Sequence, residues 1–383
     1  MNIKESETHY NNGDIVFEKQ IFFNKNEEKT PENILQKFGY DPEKWELVEW
    51  RFGKWEVAIK DEQDNRICTT IRARIKPKKQ KINLEDALKI AENVFMEGIK
   101  PKPYIPSQPQ LVDKNLMMEI PAIELHLGKM AWNGDVGADY DFKIAQKRFK
   151  KIIEECINEQ DIRKCGTLFM TIGNDFFNSD TVNATTTKGT PQTNDLRWKK
   201  MFMIGMEMYT WAIEELEQYF EKVDIALCSG NHDKMSSFYL YMALKAYFRN
   251  NPKLNFSDDY KDVQCYQFGK NAIFFAHGDN NLKRLMKSIP AEFYKEWGKS
   301  FYRELHLGHL HKETVVDDES GLITRRIGSP TGTDQWHYEE RFIGATQKHQ
   351  IFIWDKNNGL IEIKNINFEP QKVLRKTIRK KGE

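Results

Sequence analysis

Five short apolar runs each end in residues able to hold a cation: Glu124-Leu125-His126, Gly173-Asn174-Asp175, Ser229-Gly230-Asn231-His232-Asp233, His277-Gly278-Asp279 and Gly308-His309-Leu310-His311. Carboxylate, imidazole and amide donors in that mixture suit Mn, Fe or Zn better than the all-oxygen shell of Ca or Mg. No cluster is specific alone, because a lone His at a strand end is most often a satisfied side chain. The ordered set is specific. In open α/β sheets ligands collect beyond the carboxyl ends of the strands, so five such ends can converge on one site. Two divalent cations about 3.5–4 Å apart would bind phosphoryl oxygens, lower the pKa of a shared water and hold it in line with phosphorus.

Bringing those ends together requires the apolar runs to be neighbouring strands. From about residue 111 the pattern reads as strand 117–125, helix 140–160, strand 167–172, polar loop 174–197, helix 198–220, strand 223–228, helix 236–249 and strand 271–276, then a strand reaching His306 and β-rich segments over 312–328 and 349–368. This alternation predicts a layered α/β domain over 111–368 with its strands turned toward one ligand edge. Residues 30–100 read as a small α+β domain. Thr30 caps a helix that Pro31 opens and Phe38-Gly39 ends. Strands Trp45–Ile59 and Arg66–Ile75 flank a turn-rich Asp61–Asn65, and Asn83 caps a helix over 84–97. The rest reads as a polar arm (1–29, with one short strand at Ile15–Phe17), a linker stiffened by Pro101, Pro103, Pro106 and Pro109 (101–110), and a basic tail (369–383).

A length of 383 residues predicts a main domain plus a smaller one. Lys and Arg number 58 against 57 Asp and Glu, so composition announces neither nucleic acid nor membrane, and any basic surface must be local. One such cluster is Arg66, Arg72, Arg74, Lys76, Lys78 and Lys79, on one face of the second N-terminal strand and its exit. It is open to two readings, a solvated face or a patch that tracks phosphates. The basic tail is open to the same two. The 5 cysteines lack close pairing, which fits a reduced cytosol. No run approaches the roughly 18 apolar residues of a membrane span, and MNIKESETHYNNGD has no signal-peptide core. A cytoplasmic protein is expected.

The ordered clusters resemble the calcineurin-like metallophosphoesterases, whose motifs run D-x-H, G-D-x-x-D, G-N-H-D/E, H and G-H-x-H, over roughly residues 118–335. ELHLGKMAW, GNDFF, the TTTKGTPQ loop, GHLH and the Gly328-Ser329-Pro330 turn are similar to phage-encoded, repair-exonuclease-like members. The resemblance implies a sandwich of two β-sheets flanked by helices. It implies that Glu124, His126 and His311 hold one metal, that Asp175 bridges, and that Asn231, His277 and His309 hold the other. His232 then stands beside the leaving oxygen as general acid, a role worth about 10²–10⁴ in rate, with Asp233 orienting its imidazole. Two departures from the motif are Glu124 in place of Asp, and Asn174 before Asp175, which puts Asp175 in the bridging register with Asn174 as the fallback.

The implied function is a two-metal phosphodiesterase acting on nucleic acid, DNA before RNA, with two Mn ions or else Fe or Zn. The alternatives are a phosphomonoesterase or a phosphodiesterase of small or cyclic nucleotides, and, in another class, a non-catalytic nucleic-acid binder with a decayed site. The nuclease branch carries a capping region and binds a coiled-coil ATPase. Here only a short basic tail follows, so no ATPase partner is expected, and a homodimer is left open. His9, His306, His337 and His349 read as structural. Asp180 and Asp279 lie near the site without a ligand slot. The loop from Asn183 to Asp195 is a candidate substrate contact, and Trp198, Phe202, Tyr209 and Trp211 read as core rather than as a base-stacking platform.

Overall fold

The computed structural model describes residues 6–10, 14–21, 28–56, 67–78, 99–106, 111–317 and 319–369. They fall into two units, residues 1–89 and 90–383. Arg66, Lys79, the 84–97 helix, residues 107–110 and the tail beyond 369 lie outside the described residues.

In the first unit, strands β1 (Ser6–His9), β2 (Ile15–Ile21), β3 (Trp45–Glu56) and β4 (Ile67–Pro77) form an antiparallel sheet in the order β1-β2-β4-β3, with helix α1 (Pro31–Lys37) against it. Residues 1–29 are therefore not simply an arm: β2 pairs with β4 and buries Ile15 and Phe17 beside Ile71, Ala73 and Ile75. The alternation along β4 decides which face is buried, since a period of two puts every second side chain on the core side. The opposite face mixes charges. Arg74 donates through Nε to Asp14 at 2.9 Å, Lys76 lies 3.4 Å from Glu46, and Arg72 is in register with Glu18. The exposed Lys76–Glu46 pair contributes little stability, while Arg74 reaches a buried Asp14; both commit part of the basic face to neighbouring acids.

The second unit is a four-layer α/β sandwich. A six-stranded sheet runs β15 (Gly359–Asn367), β14 (Lys348–Asp355), β5 (Asp113–Ile120), β6 (Cys165–Gly173), β7 (Lys222–Cys228), β8 (Leu254–Phe256), with β5 to β8 parallel. A five-stranded sheet runs β12 (Thr314–Asp317), β13 (Ile323–Arg326), β11 (Tyr302–Leu307), β10 (Asn271–Ala276), β9 (Gln264–Phe268), with β10, β11 and β13 parallel. The short helix α2 (Asn133–Val136) precedes the outer helices. Helices α3 (Phe142–Arg163), α4 (Trp198–Leu216) and α5 (Lys234–Tyr247) cover the outside of the larger sheet, and α6 (Leu282–Glu292) with α7 (Tyr294–Lys299) covers the smaller.

Successive residues of a strand supply two different cores. Leu168, Met170 and Ile172 of β6 face the helices, while Phe169 enters the inter-sheet layer; Phe274 of β10 faces α6, while Ile273 and Phe275 face inward. Strands buried on both faces read as continuous apolar runs, which is why their ends were visible in the sequence. The inter-sheet layer also holds a buried polar chain. His306 Nδ1 donates to Glu119 at 2.8 Å, Glu119 also accepts from Trp354 Nε1 at 2.8 Å, and Arg325 Nε donates to Glu304 at 3.0 Å. Burial alone would lower the His306 pKa, but the adjoining Glu119 and Glu304 carboxylates raise it to about 9, so this histidine is an ionic tie between the sheets.

Within the second unit, the start of the proline-rich 101–110 segment is held where Lys102 donates its backbone N–H to Tyr247 at 2.8 Å and pairs with Glu214 at 2.7 Å. One expectation needs correction here. Trp198 is exposed at the first turn of α4 rather than in the core, since the apolar stripe begins one turn later at Met201. No described helix is long and apolar enough to cross a membrane.

Phe169 lies parallel to Tyr266 with ring centroids 4.0 Å apart and leans on Phe275 at 5.6 Å. Phe169→Ala should therefore destabilise the second unit by about 3–5 kcal/mol, read as a lower urea midpoint. An unchanged midpoint would mean that the sheets do not depend on this contact.

Candidate metal centre

The parallel strands β5, β6, β7, β10 and β11 all deliver their carboxyl ends to one edge, and the five polar clusters occupy the loops that follow. The donors form two groups, each with atoms within 4.8 Å of one another: Glu124, His126 and His311, and Asp175, His277 and His309. In the first, His126 Nε2 lies 3.1 Å from His311 Nε2, which is 3.3 Å from Glu124 Oε1. In the second, His277 Nε2 lies 3.2 Å from Asp175 Oδ2, 3.1 Å from His309 Nδ1 and 2.7 Å from Asn231 Oδ1. Metal–donor bonds of about 2.0–2.2 Å place neighbouring donors about 3.0–3.5 Å apart around a shared ion, so both sets are spaced as edges of a coordination polyhedron. Asn231 Oδ1 adjoins the second group at hydrogen-bond distance from His277. Asp175 is grouped with the second set, and its Oδ1 accepts the His232 backbone N–H at 2.7 Å.

The backbone is bent to make this possible. His126, Asn174, Asp175, His309 and His311 have φ of 49°, 59°, 60°, 72° and 51°, a left-handed region that costs non-glycine residues about 1–3 kcal/mol and recurs at functional sites. Two glycines leave room. A Cβ on Gly230 would stand 2.1 Å from Asp175 Oδ1, and one on Gly308 would stand 2.6 Å from Asn174 Nδ2 and 3.1 Å from Glu124 Oε2.

Further polar contacts aim the donors. Asn174 is not bridging. Its Oδ1 accepts from His277 Nδ1 at 2.6 Å, which aims Nε2 at the site, where loss of its proton would free a lone pair for a cation. Asn178 does the same for His126 at 3.2 Å, and its backbone carbonyl accepts from His232 Nδ1 at 2.9 Å. Asn178, not Asp233, therefore orients the His232 imidazole. Asp233 is buried beneath, where it accepts from the backbone N–H of Asp175 at 3.2 Å and of Phe177 at 3.1 Å, and from the Ser237 hydroxyl. Its own role is to fix the loop that carries Asp175. Glu124 spans the extra methylene by accepting the His309 N–H at 3.0 Å, and Ser329 Oγ anchors the Glu124 carbonyl at 2.8 Å. Asp180 caps α5 through the Ser236 N–H at 2.8 Å and is not a donor to either group, while Asp279 is exposed at the rim.

His337, outside both donor sets, is held as a satisfied histidine beside them. It stacks on His311 with centroids 5.0 Å apart and planes 13° from parallel, its Nδ1 donates to Asp334 at 2.7 Å, and Asp334 also holds the buried Lys129 at 2.8 Å. No motif spacing flags the stacking, because His311 comes from a different segment, although the Asp334 contact is local, three residues back. Both groups open into a cavity of about 540 Å³, lined also by Thr186, Thr190 and Thr193 of the polar loop. That loop is folded on itself, with the Thr186 N–H on the Thr190 carbonyl at 2.8 Å.

Electrostatics favour a cation. Burial, then the neighbouring His232 and Lys129, holds His126 well below its ordinary pKa, and burial with His277 lowers His309, so both are neutral donors. Burial would raise Glu124 and Asp175, but the imidazoles beside them outweigh it and keep both carboxylates below their usual range. Burial would also lower His277, yet Asp175 and Glu124 raise it to about 9. Burial and the Asp175 charge push Asp233 up to about 7.

No family model matches the sequence, and no curated protein matches it. Among solved structures, Vps29 from Entamoeba histolytica aligns over 66% of this chain and 99% of its own at 13% identity and a TM-score of 0.28. A dimetal phosphatase from Danio rerio aligns over 67% and 100% at 9% identity and a TM-score of 0.33. A 5′-nucleotidase from Candida albicans aligns over 70% and 54% at 8% identity and a TM-score of 0.32. At such overlaps the chemistry of the site rests on this chain's own side chains.

Because the folded pKa of His277 is raised above its unfolded value of about 6.5, its proton stabilises the metal-free fold below that pH and the gain is lost as pH rises through about 9. A cation must displace that proton. Calorimetric titration of Mn²⁺ at pH 7, in two buffers of different ionisation heat, should therefore show release of about one proton, with affinity rising until the pH nears 9. Proton-neutral binding, or affinity that falls with pH, would contradict the assignment of His277 as a ligand.

Proposed function

We propose that the chain is a two-metal phosphodiesterase of the calcineurin-like kind, acting on nucleic acid. The observation that carries this reading is the pair of adjoining donor sets with His232 at their mouth, its ring packed edge-on against His126 at 4.7 Å. Glu124, His126 and His311 would hold one cation, and Asp175, Asn231, His277 and His309 the other. Once bound, the pair supplies Lewis acidity toward a phosphoryl oxygen and acidifies water.

The chain's own groups do the rest. His232 donates its Nδ1 proton to the Asn178 carbonyl, which leaves Nε2 toward the cavity; as the imidazolium the ring would carry a second proton there, which it could pass to the departing ester oxygen, ending as the neutral Nδ1–H tautomer. Asn174 and Asn178 hold the donor imidazoles in one tautomer. Lys129 is neutralised by Asp334, which leaves recognition of the phosphate mainly to the donor sets.

A second reading, hydrolysis of a single nucleotide, draws on the size of the cavity, which lies within the range of about 300–1,000 Å³ for small-molecule sites. Hydrolysis of nucleic acid is preferred because the rim is open and aromatic. A DNA repair role, exonuclease action and a phage origin are finer expectations of the resemblance.

Protein supplied with Mn²⁺ should hydrolyse a nitrophenyl phosphodiester and single-stranded DNA, and a chelator should abolish both. His232→Ala should keep both metals while slowing DNA cleavage by about 10²–10⁴, with a smaller loss on the nitrophenyl ester, whose leaving oxygen needs little protonation. Full activity in excess chelator would overturn the two-metal reading. Equal losses on both substrates would overturn the role of His232.

A further inference from the structure

The cavity has a second wall that metal chemistry does not use. Helix α2 and the helix α8 (Gln335–Glu339) meet beside the donor sets, and they carry Trp132, Trp336 and, just beyond, Phe342, exposed by 61%, 58% and 62%. Large aromatic side chains so exposed, at the lip of a cavity, call for an occupant.

These rings are held rather than loose. The Trp132 indole lies over Gly134, where a Cβ would stand 2.5 Å from the ring. Trp336 packs edge-on against His337 at 4.9 Å and leans on Phe342 at 5.6 Å, and His337 in turn stacks on His311. An aromatic path thus runs from the rim to a residue of the first donor set. Asp334 fixes its middle, since it caps α8 through the His337 N–H at 2.8 Å and accepts from the His337 ring at 2.7 Å.

We propose that Trp132 and Trp336 form a stacking site for the nucleobase next to the phosphate being cleaved. The inference rests on the phosphoester reading and names the substrate class of that same site. Continuity of the wall with His311 carries it. A ligand whose phosphate lies at the donor sets has its sugar directed along the wall, and a flat base is the group that gains most from an indole face. Every base has a flat face, so stacking there tolerates any base and selects an unpaired strand or end, because a paired base has its faces covered.

The test is calorimetric binding of thymidine 5′-monophosphate and of 2-deoxyribose 5-phosphate, with Mn²⁺ present, to the full-length chain. The nucleotide should bind about 5- to 150-fold more tightly than the sugar phosphate. Trp336→Ala, and its double variant with Trp132→Ala, should bring the nucleotide toward the sugar phosphate while leaving the sugar phosphate unchanged, and Trp336→Phe should keep most of the difference. Equal affinity of the two ligands for the unaltered chain, or alanine variants that weaken both alike, would overturn the stacking site. If neither ligand binds, or binding ignores Mn²⁺, the phosphoester reading fails and the stacking site with it.

Discussion

Donor atoms of two carboxylates and four imidazoles converge at the strand edge, closer together than they would sit in water. His126 and His311 present nitrogens 3.1 Å apart, as do His277 and His309, beside carboxylates removed from water. The proton on His277 relieves part of this crowding in the metal-free chain. Burying charged groups without partners is costly, and a pair of cations would turn both sets from a destabilising feature into a source of binding energy.

Much of the surrounding architecture serves to keep those donors from moving apart. Five residues of the site accept left-handed backbone, Gly230 and Gly308 give up their side chains to let loops touch, and Asp233 ties the Asp175 loop from below. The two sheets supply the rigid base. Their shared layer is sealed by Phe169, Phe352 and Trp354 and crossed by the ionic tie through His306, so strand ends from different sheets stay in register at the cleft.

The candidate donors were legible in the sequence because each is of a ligand type following a run buried on both faces. The sequence was less informative wherever function depends on contacts between distant segments. Asn178 looks like an ordinary loop residue until its amide and carbonyl are seen under two histidines. His337 has no ligand spacing, and Trp132 and Trp336 are 204 residues apart in the numbering. Local patterns misled in two other places. The first strand, SETH, is exposed throughout and offers no alternation. Helix α6 contains Pro290, a residue that normally breaks a helix.

The claim on which the rest depends is that both donor sets hold cations at once. A crystal soaked in Mn²⁺ and measured for anomalous scattering tests it directly. Two peaks about 3.5–4 Å apart are predicted, one among Glu124, His126 and His311 and the other among Asp175, Asn231, His277 and His309. A single peak, or peaks away from these side chains, would contradict it.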